Sequence, residues 1–271
     1  MLGALTVLTL SLLKLEESRL KIEQQQDDIE QQRELIDKKE TFAAAMEQLM
    51  ATVHQFDGSR FGTIIPLAYH ESLAKRGWDH RWNGDALDRD TGEVFEAAAE
   101  LDAVLASARD QAAGNATGSA FEATIDQLGG GFVASALSDA DALCKTDALG
   151  CVTSADPYTV HLDAADNGAP WMTDWLRTGI AYHEFAHVLQ FTNPEPTEIA
   201  VAAFGGDWET MADCFSLTYL PGWSLDHTIW VSDFQYWEIS VGYGYVCDEP
   251  QRQTVRDWYD SLPLQAEPLT Q

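Results

Sequence analysis

Residues Trp171 to Phe191 read WMTDWLRTGIAYHEFAHVLQF, an apolar, helix-forming stretch that contains His183-Glu184-Phe185-Ala186-His187. Two histidines four apart lie on one face of a helix, close enough to bind one Zn²⁺. Glu184, beside them, is placed to act as a base toward water that such a metal activates. The pattern fits metal-assisted hydrolysis. Upstream, Thr159 to Leu162 reads as a short strand and Asn167 to Pro170 as a turn, so strand and turn lead into the helix.

A catalytic zinc needs a third protein ligand and an open fourth position. Gln190 stands where the HExxHxxGxxH class needs glycine and Asn193 where it needs histidine, which excludes that class. Further on, Asp207 is placed to cap a helix beginning at Trp208, and Glu209 and Asp213 fall four apart on one face of it. Glu209 would complete the metal site. Asp213 would accept the second ring N–H of a ligand histidine, fixing its tautomer. Glu195 and Glu198 are the substitute third ligands, Glu209 then serving only as an acid at a helix N-terminus.

This spacing, HExxH followed about twenty residues later by ExxxD, resembles that of the gluzincins, the thermolysin-like zinc metallopeptidases. More narrowly, HEFAHVLQ and WETMADCFSLTY are similar to the bacterial neutral zinc metallopeptidases, over roughly His183 to Tyr219. The resemblance implies a zinc peptidase with its active-site helix under a small sheet, acting on a peptide or protein substrate. It carries over to His183, Glu184, His187, Glu209 and Asp213 and leaves residues 1–150 untouched. The fold class expected is α+β and mainly helical, a zincin-like domain preceded by a long N-terminal helix.

Formal charge is 16 minus 44, or −28, and residues 51–271 hold 10 basic against 34 acidic side chains. Binding to nucleic acid runs on clustered Lys and Arg, so that class of partner is excluded. The excess acid suits a self-repelling surface in an extracytoplasmic medium, or a preference for cationic substrates. Four cysteines are too few for a disulfide scaffold, and none forms CxxC. Their placement pairs Cys144 with Cys151 and Cys214 with Cys247, which implies an oxidising compartment.

Met1 to Leu13 is an uncharged apolar run about 20 Å long as a helix, short of the roughly 30 Å hydrocarbon core. It reads as a partial membrane anchor or signal segment, placing the protein outside the cytoplasm, membrane-anchored or secreted. Residues 14–50 lack Pro and Gly, and Leu15, Ile22, Ile29, Ile36, Ala43 and Met50 recur every seven residues. The other seam position holds Ser18, Gln25, Gln32 and Lys39, so this is a weak coiled-coil stalk with scope for self-association. A single helix packed on the following domain is the alternative.

The metallopeptidase-like domain is expected over residues 55–265, with 55–158 open as a pro-segment. Glu93 to Ala112 has helical spacing, and Asp85, Asp88, Asp90 and Glu93 around Gly92 read as a solvated turn rather than a calcium loop. Asn115-Ala116-Thr117 is a glycosylation sequon where the host glycosylates. Trp208, Trp223, Trp230, Tyr236, Trp237, Tyr243 and Tyr245 read as core aromatics, with the lining of a substrate cleft as the alternative. His227, Tyr236, Tyr243 and Tyr245 are candidates for stabilising an oxyanion. The competing reading is an interaction protein working through the coiled coil, its metal site structural or vestigial. An intact Glu184 argues against it, since a structural site needs no base.

Overall fold

A computed structural model describes residues 2–115, 117–144, 147–244 and 247–264, with side chains from Leu13 onward. Met1, the sequon's Ala116, Tyr245 and the last residue of the expected 55–265 domain lie outside the described residues. The chain divides into two compact units, Met1–Thr52 with Pro66–Ala99, and Val53–Ile65 with Glu100–Gln271. It is mainly helical, with two small sheets and a long N-terminal helix.

The first unit is built on α1 (Leu2–Val53), whose uninterrupted run of good helix formers carries Glu17–Lys21, Arg19–Glu23 and Glu34–Lys38 pairs one turn apart. The heptad residues Leu15, Ile22, Ile29 and Ile36 are all at least half exposed. The packed face is a different one, running through Phe42, Ala45 and Leu49. Phe42 lies against Gly77 of α2 (Leu67–Asp79), where a β-carbon would meet the ring at 2.0 Å. No helix among the described residues is long and apolar enough to cross a membrane.

Helix α3 (Gly84–Gly114) starts nine residues before the expected Glu93 and corrects the solvated turn. Asn83 caps it by accepting the Ala86 N–H at 3.1 Å, and Gly92 sits mid-helix with open space around it. The acids there have side-chain partners: Asp88 pairs with Lys38 at 2.8 Å and Glu93 with Arg76, while Asp90 lies 2.6 Å from His80 Nδ1.

In the second unit, α4 (Ala120–Gly129) leads to β1 (Ala134–Ser138), a short α5 (Ala140–Leu143), β2 (Gly150–Thr153) and β3 (Asp156–Asp163). The strands form one sheet in the order β1-β3-β2, with β1 parallel and β2 antiparallel to β3. A short α6 (Ala164–Asn167) precedes α7 (Asp174–Thr192), whose N-cap Thr173 accepts the Leu176 N–H at 3.2 Å. Ile180, Ala181, Phe185, Ala186 and Leu189 of α7 share one buried core with Phe61, Phe121, Ile125, Val133, Val152, Val160 and Leu162. Phe61, Phe121, Ile125, Val133 and Val152, all from the 55–158 stretch, therefore contribute to the core on which α7 rests. Asn193 ends α7 and ties it to Arg60 and Gly62, donating to the Arg60 carbonyl at 2.7 Å and accepting the Gly62 N–H at 3.1 Å.

Beyond α8 (Pro194–Ala200), α9 (Trp208–Tyr219) packs on α7 with its N-cap at Asp207, which accepts the Glu209 and Thr210 N–H groups. Strands β4 (Asp226–Ser232) and β5 (Gln235–Ser240) make an antiparallel hairpin, and α10 (Glu249–Ser261) opens with a capping box between Asp248 and Gln251. Both expected disulfides are formed, Cys144–Cys151 and Cys214–Cys247.

Candidate metal centre

The 3.6-residue period of α7 brings His183 and His187 to one side, with ring centroids 4.9 Å apart. Capping by Asp207 sets Glu209 in the first turn of α9, and that turn meets this face. The Nε2 atoms of His183 and His187 are 3.2 Å apart, and Glu209 Oε2 lies 3.3 Å from the first and 3.0 Å from the second. Zn–N and Zn–O bonds of about 2.0–2.1 Å give a tetrahedron with edges of about 3.3 Å, so three ligand atoms at these separations match one face of it. Among the described residues these three form the one group that could hold a metal ion. Glu195 and Glu198 are exposed on α8 and are not part of it.

Each histidine is held from behind. His183 Nδ1 lies 2.9 Å from Asp213 Oδ1, and Asp213 is fully buried, its other oxygen accepting the Tyr243 N–H at 2.8 Å. His187 Nδ1 lies 2.7 Å from Oε1 of the fully buried Gln190. Gln190 in turn donates through Nε2 to the Trp208 carbonyl at 3.0 Å, which fixes which end of its amide faces the imidazole. Both Nδ1 atoms therefore face acceptors and carry the ring proton, leaving both Nε2 lone pairs aimed at the same point as a carboxylate oxygen. Three acceptor atoms converging on one point call for positive charge there, a metal ion or a proton.

The reading of the sequence met Gln190 as a departure from the HExxHxxGxxH pattern and as the last residue of the HEFAHVLQ resemblance, and gave it no role. Its signal was the i, i+3 spacing from His187, which puts an amide one turn further along the same face.

Glu184 is buried on α7, and its Oε2 has no hydrogen-bond partner among the described residues. The main chain of β2 comes close at Gly150, where a β-carbon would stand 3.0 Å from Glu184 Oε1. Burial raises the Glu184 pKa above the usual carboxylate value, opposed by the charges of His183 and His187. Burial also works against the imidazolium of His183, but hydrogen bonds to Asp213 and Glu209 outweigh it and push its pKa up to about 10. Burial raises Glu209 too, and the two imidazoles outweigh that as well, holding it well below the usual carboxylate range. In the metal-free chain a proton on His183 thus takes the place of a metal cation.

The centre opens into a cleft of about 700 Å³ whose lining includes Gly150–Thr153 of β2 and the segment from Ser240, at the end of β5, to Tyr243. Tyr243 belongs to that lining, its ring stacked with His183 at 6.3 Å between centroids. Burial and the nearby Glu209 charge raise its pKa, so the phenol keeps its proton as a donor. The other oxyanion candidates lie elsewhere. His227 packs on Trp223 at 4.6 Å, Tyr236 pairs with Trp230 at 4.9 Å, and neither lines the cleft. Of the aromatics expected in the core, Trp223 is buried and Trp208 partly so. Trp230, Tyr236, Trp237 and Tyr243 are exposed, the first two because they share the face of the β4–β5 hairpin turned away from the core.

Comparison with family models, with curated proteins and with solved structures gives no significant match to this chain.

Proposed function

We propose that the chain is a zinc-dependent peptidase of the gluzincin kind, with a zincin-like domain acting outside the cytoplasm. The observation that carries the reading is the convergence of His183, His187 and Glu209 at tetrahedral edge lengths beside a buried carboxylate that is not one of the three. Those three residues would hold the metal. When bound, zinc supplies Lewis-acid polarisation of a scissile carbonyl and makes water a nucleophile near neutral pH.

The chain's own residues supply the rest. Glu184, its carboxylate pKa raised by burial, takes the proton from the attacking water and passes it to the leaving amine. Asp213 and Gln190 keep the two imidazoles turned toward the metal position through the steps. Tyr243 carries the one described phenol in the cleft wall and offers its O–H to the charge that develops on the carbonyl oxygen. Two disulfides fit an oxidising, extracytoplasmic setting.

The competing reading, an interaction protein working through α1, draws on the exposed Leu15, Ile22, Ile29 and Ile36 stripe. It leaves unexplained a buried Glu184 whose Oε2 has no hydrogen-bond partner among the described residues. Metal analysis of the purified chain, with a peptide-library digest run with and without chelator, separates the two. One zinc per chain and chelator-sensitive cleavage are expected; cleavage of nothing across a broad library favours the interaction protein.

A further inference from the structure

The β4–β5 hairpin presents a sheet face that the proposed chemistry does not use. Its register pairs Trp230 with Tyr236, Thr228 with Glu238, and Asp226 with Ser240. Directly opposed residues share a face, and alternate residues repeat it. One face of the hairpin therefore carries an aromatic pair near the tip, then Glu238, then Asp226 beside Ser240. The opposite face holds Ile229 and Ile239, which pack against the core. All six residues of the outward face are exposed, Trp230 at 62% and Tyr236 at 49%. Ser240, at the end of the row, already lines the cleft that holds Glu184. The row thus runs from the hairpin tip into the candidate active site.

Charge decides what fits this face. No Lys or Arg occurs between Arg177 and Arg252, while the same stretch holds eleven Asp and Glu side chains. A second copy, itself at −28, or an anionic surface would be repelled. A cation meets the reverse: Glu238 and Asp226 for pairing, and the faces of Trp230 and Tyr236 for cation–π contact. Residues of one face recur about every 6.7 Å along a strand, which is also the spacing of alternate side chains in an extended peptide.

We propose that the outward face of the β4–β5 hairpin is a docking ledge for an extended basic polypeptide, whose alternate Arg or Lys side chains meet Trp230–Tyr236, Glu238 and Asp226 before the chain enters the cleft. This names the substrate class for the peptidase proposed above and rests on that reading for the cleavage step after docking.

Binding is measured apart from cleavage, on the full chain carrying Glu184→Gln, by fluorescence anisotropy of dye-labelled (Arg-Ala)₆ and (Glu-Ala)₆ peptides. The Arg peptide should bind and the Glu peptide should not. The pair Trp230→Ser/Tyr236→Ser and the pair Asp226→Asn/Glu238→Gln should each weaken binding at least tenfold. Glu195→Gln/Glu198→Gln, which removes two exposed carboxylates from α8, should change it less than twofold. Equal losses in all three pairs would mean diffuse attraction to an acidic surface and overturn the ledge, as would no binding of the Arg peptide. Should a hairpin variant fail to fold, a benzophenone-bearing (Arg-Ala)₆ is photo-crosslinked to the unsubstituted hairpin and mapped by mass spectrometry. Adducts within residues 226–240 support the ledge, and adducts elsewhere only overturn it. Binding without cleavage by the wild-type chain removes the peptidase reading and leaves the ledge, whereas cleavage with hairpin-independent binding removes the ledge alone.

Discussion

His187 and Gln190 stand one turn apart on α7 and meet at 2.7 Å, imidazole Nδ1 to amide Oε1, and the same amide holds the Trp208 carbonyl at the start of α9. One buried side chain thereby sets both the tautomer of a candidate ligand and the approach of the helix that delivers Glu209. Gln190→Leu, close in volume, should accordingly weaken zinc binding roughly 10- to 100-fold and lower stability by about 1–3 kcal/mol through the unpaired Trp208 carbonyl. Gln190→Glu keeps the acceptor for His187 and should retain more of the affinity. Competition titration with a zinc chelator and thermal unfolding read the two effects separately. Equal zinc affinity in Gln190→Leu and wild type would remove the orienting role.

Glu209 and Asp213 occupy successive turns of α9 but do different things. Removing Glu209 takes away a metal-facing oxygen, so Glu209→Ala should lose the tightly bound zinc. Asp213→Ala should keep it with affinity lowered by roughly 10- to 100-fold. Stoichiometric zinc in purified Glu209→Ala would mean that another residue supplies the third ligand.

Glu184 touches none of the three metal-facing atoms in the hydrogen-bond network. Glu184→Gln should therefore retain fold and zinc while hydrolysis of any substrate found falls by at least the roughly 10² to 10⁴ typical of general-base loss. Unimpaired turnover in that variant would end the proposed mechanism.

The protonation of His183 makes two linked expectations for pH. Its folded pKa of about 10 lies above the unfolded value near 6.5, so in chelator-treated protein its stabilisation is complete below about pH 6.5 and is lost as pH rises toward 10. Glu184, also raised, adds to the decline with rising pH, whereas Glu209, lowered, contributes stability above about pH 4.5 that is lost on acidification. Chelator-treated protein should thus unfold at progressively lower temperature from about pH 7 to 10. Zinc uptake at pH 7 should displace the His183 proton, so calorimetry in buffers of different ionisation heat should show release of about one proton. Uptake without proton release would mean that His183 is neutral before the metal binds.

The Cys214–Cys247 bridge joins α9 to the start of α10 with its Cα atoms 5.2 Å apart and both residues buried. Its 33-residue separation corresponds to about 3–4 kcal/mol on the chain-entropy model, against about 2 kcal/mol for the 7-residue separation of Cys144–Cys151. Cys214→Ala/Cys247→Ala should therefore lower the unfolding midpoint more than Cys144→Ala/Cys151→Ala. Peptide mapping without reduction tests the pairing itself; four alkylatable thiols in protein from its native compartment would contradict both bridges.

What the sequence determined by itself was local. Helix propensity and period placed His183, Glu184 and His187 on one helix, and Asp207 and Asp248 announced the caps of α9 and α10 because a cap is a bond between residues two or three apart. Two such helices also implied the Glu209 and Asp213 positions, since four residues make about one turn. The packing decided everything that depends on residues distant in the chain. The seven-residue repeat of α1 was legible as a stripe, but which face packs within the chain, the one through Ala45 and Leu49, was set by the surface lying opposite and not by periodicity. Asp88, Asp90 and Glu93 became helical once Lys38, His80 and Arg76 stood opposite them. Tyr243, and not His227 or Tyr236, reached the cleft because Asp213 holds its main chain while the hairpin carries the other two away. Alternation along β4 and β5 marked two faces, and only the core under Ile229 and Ile239 decided which of them meets solvent.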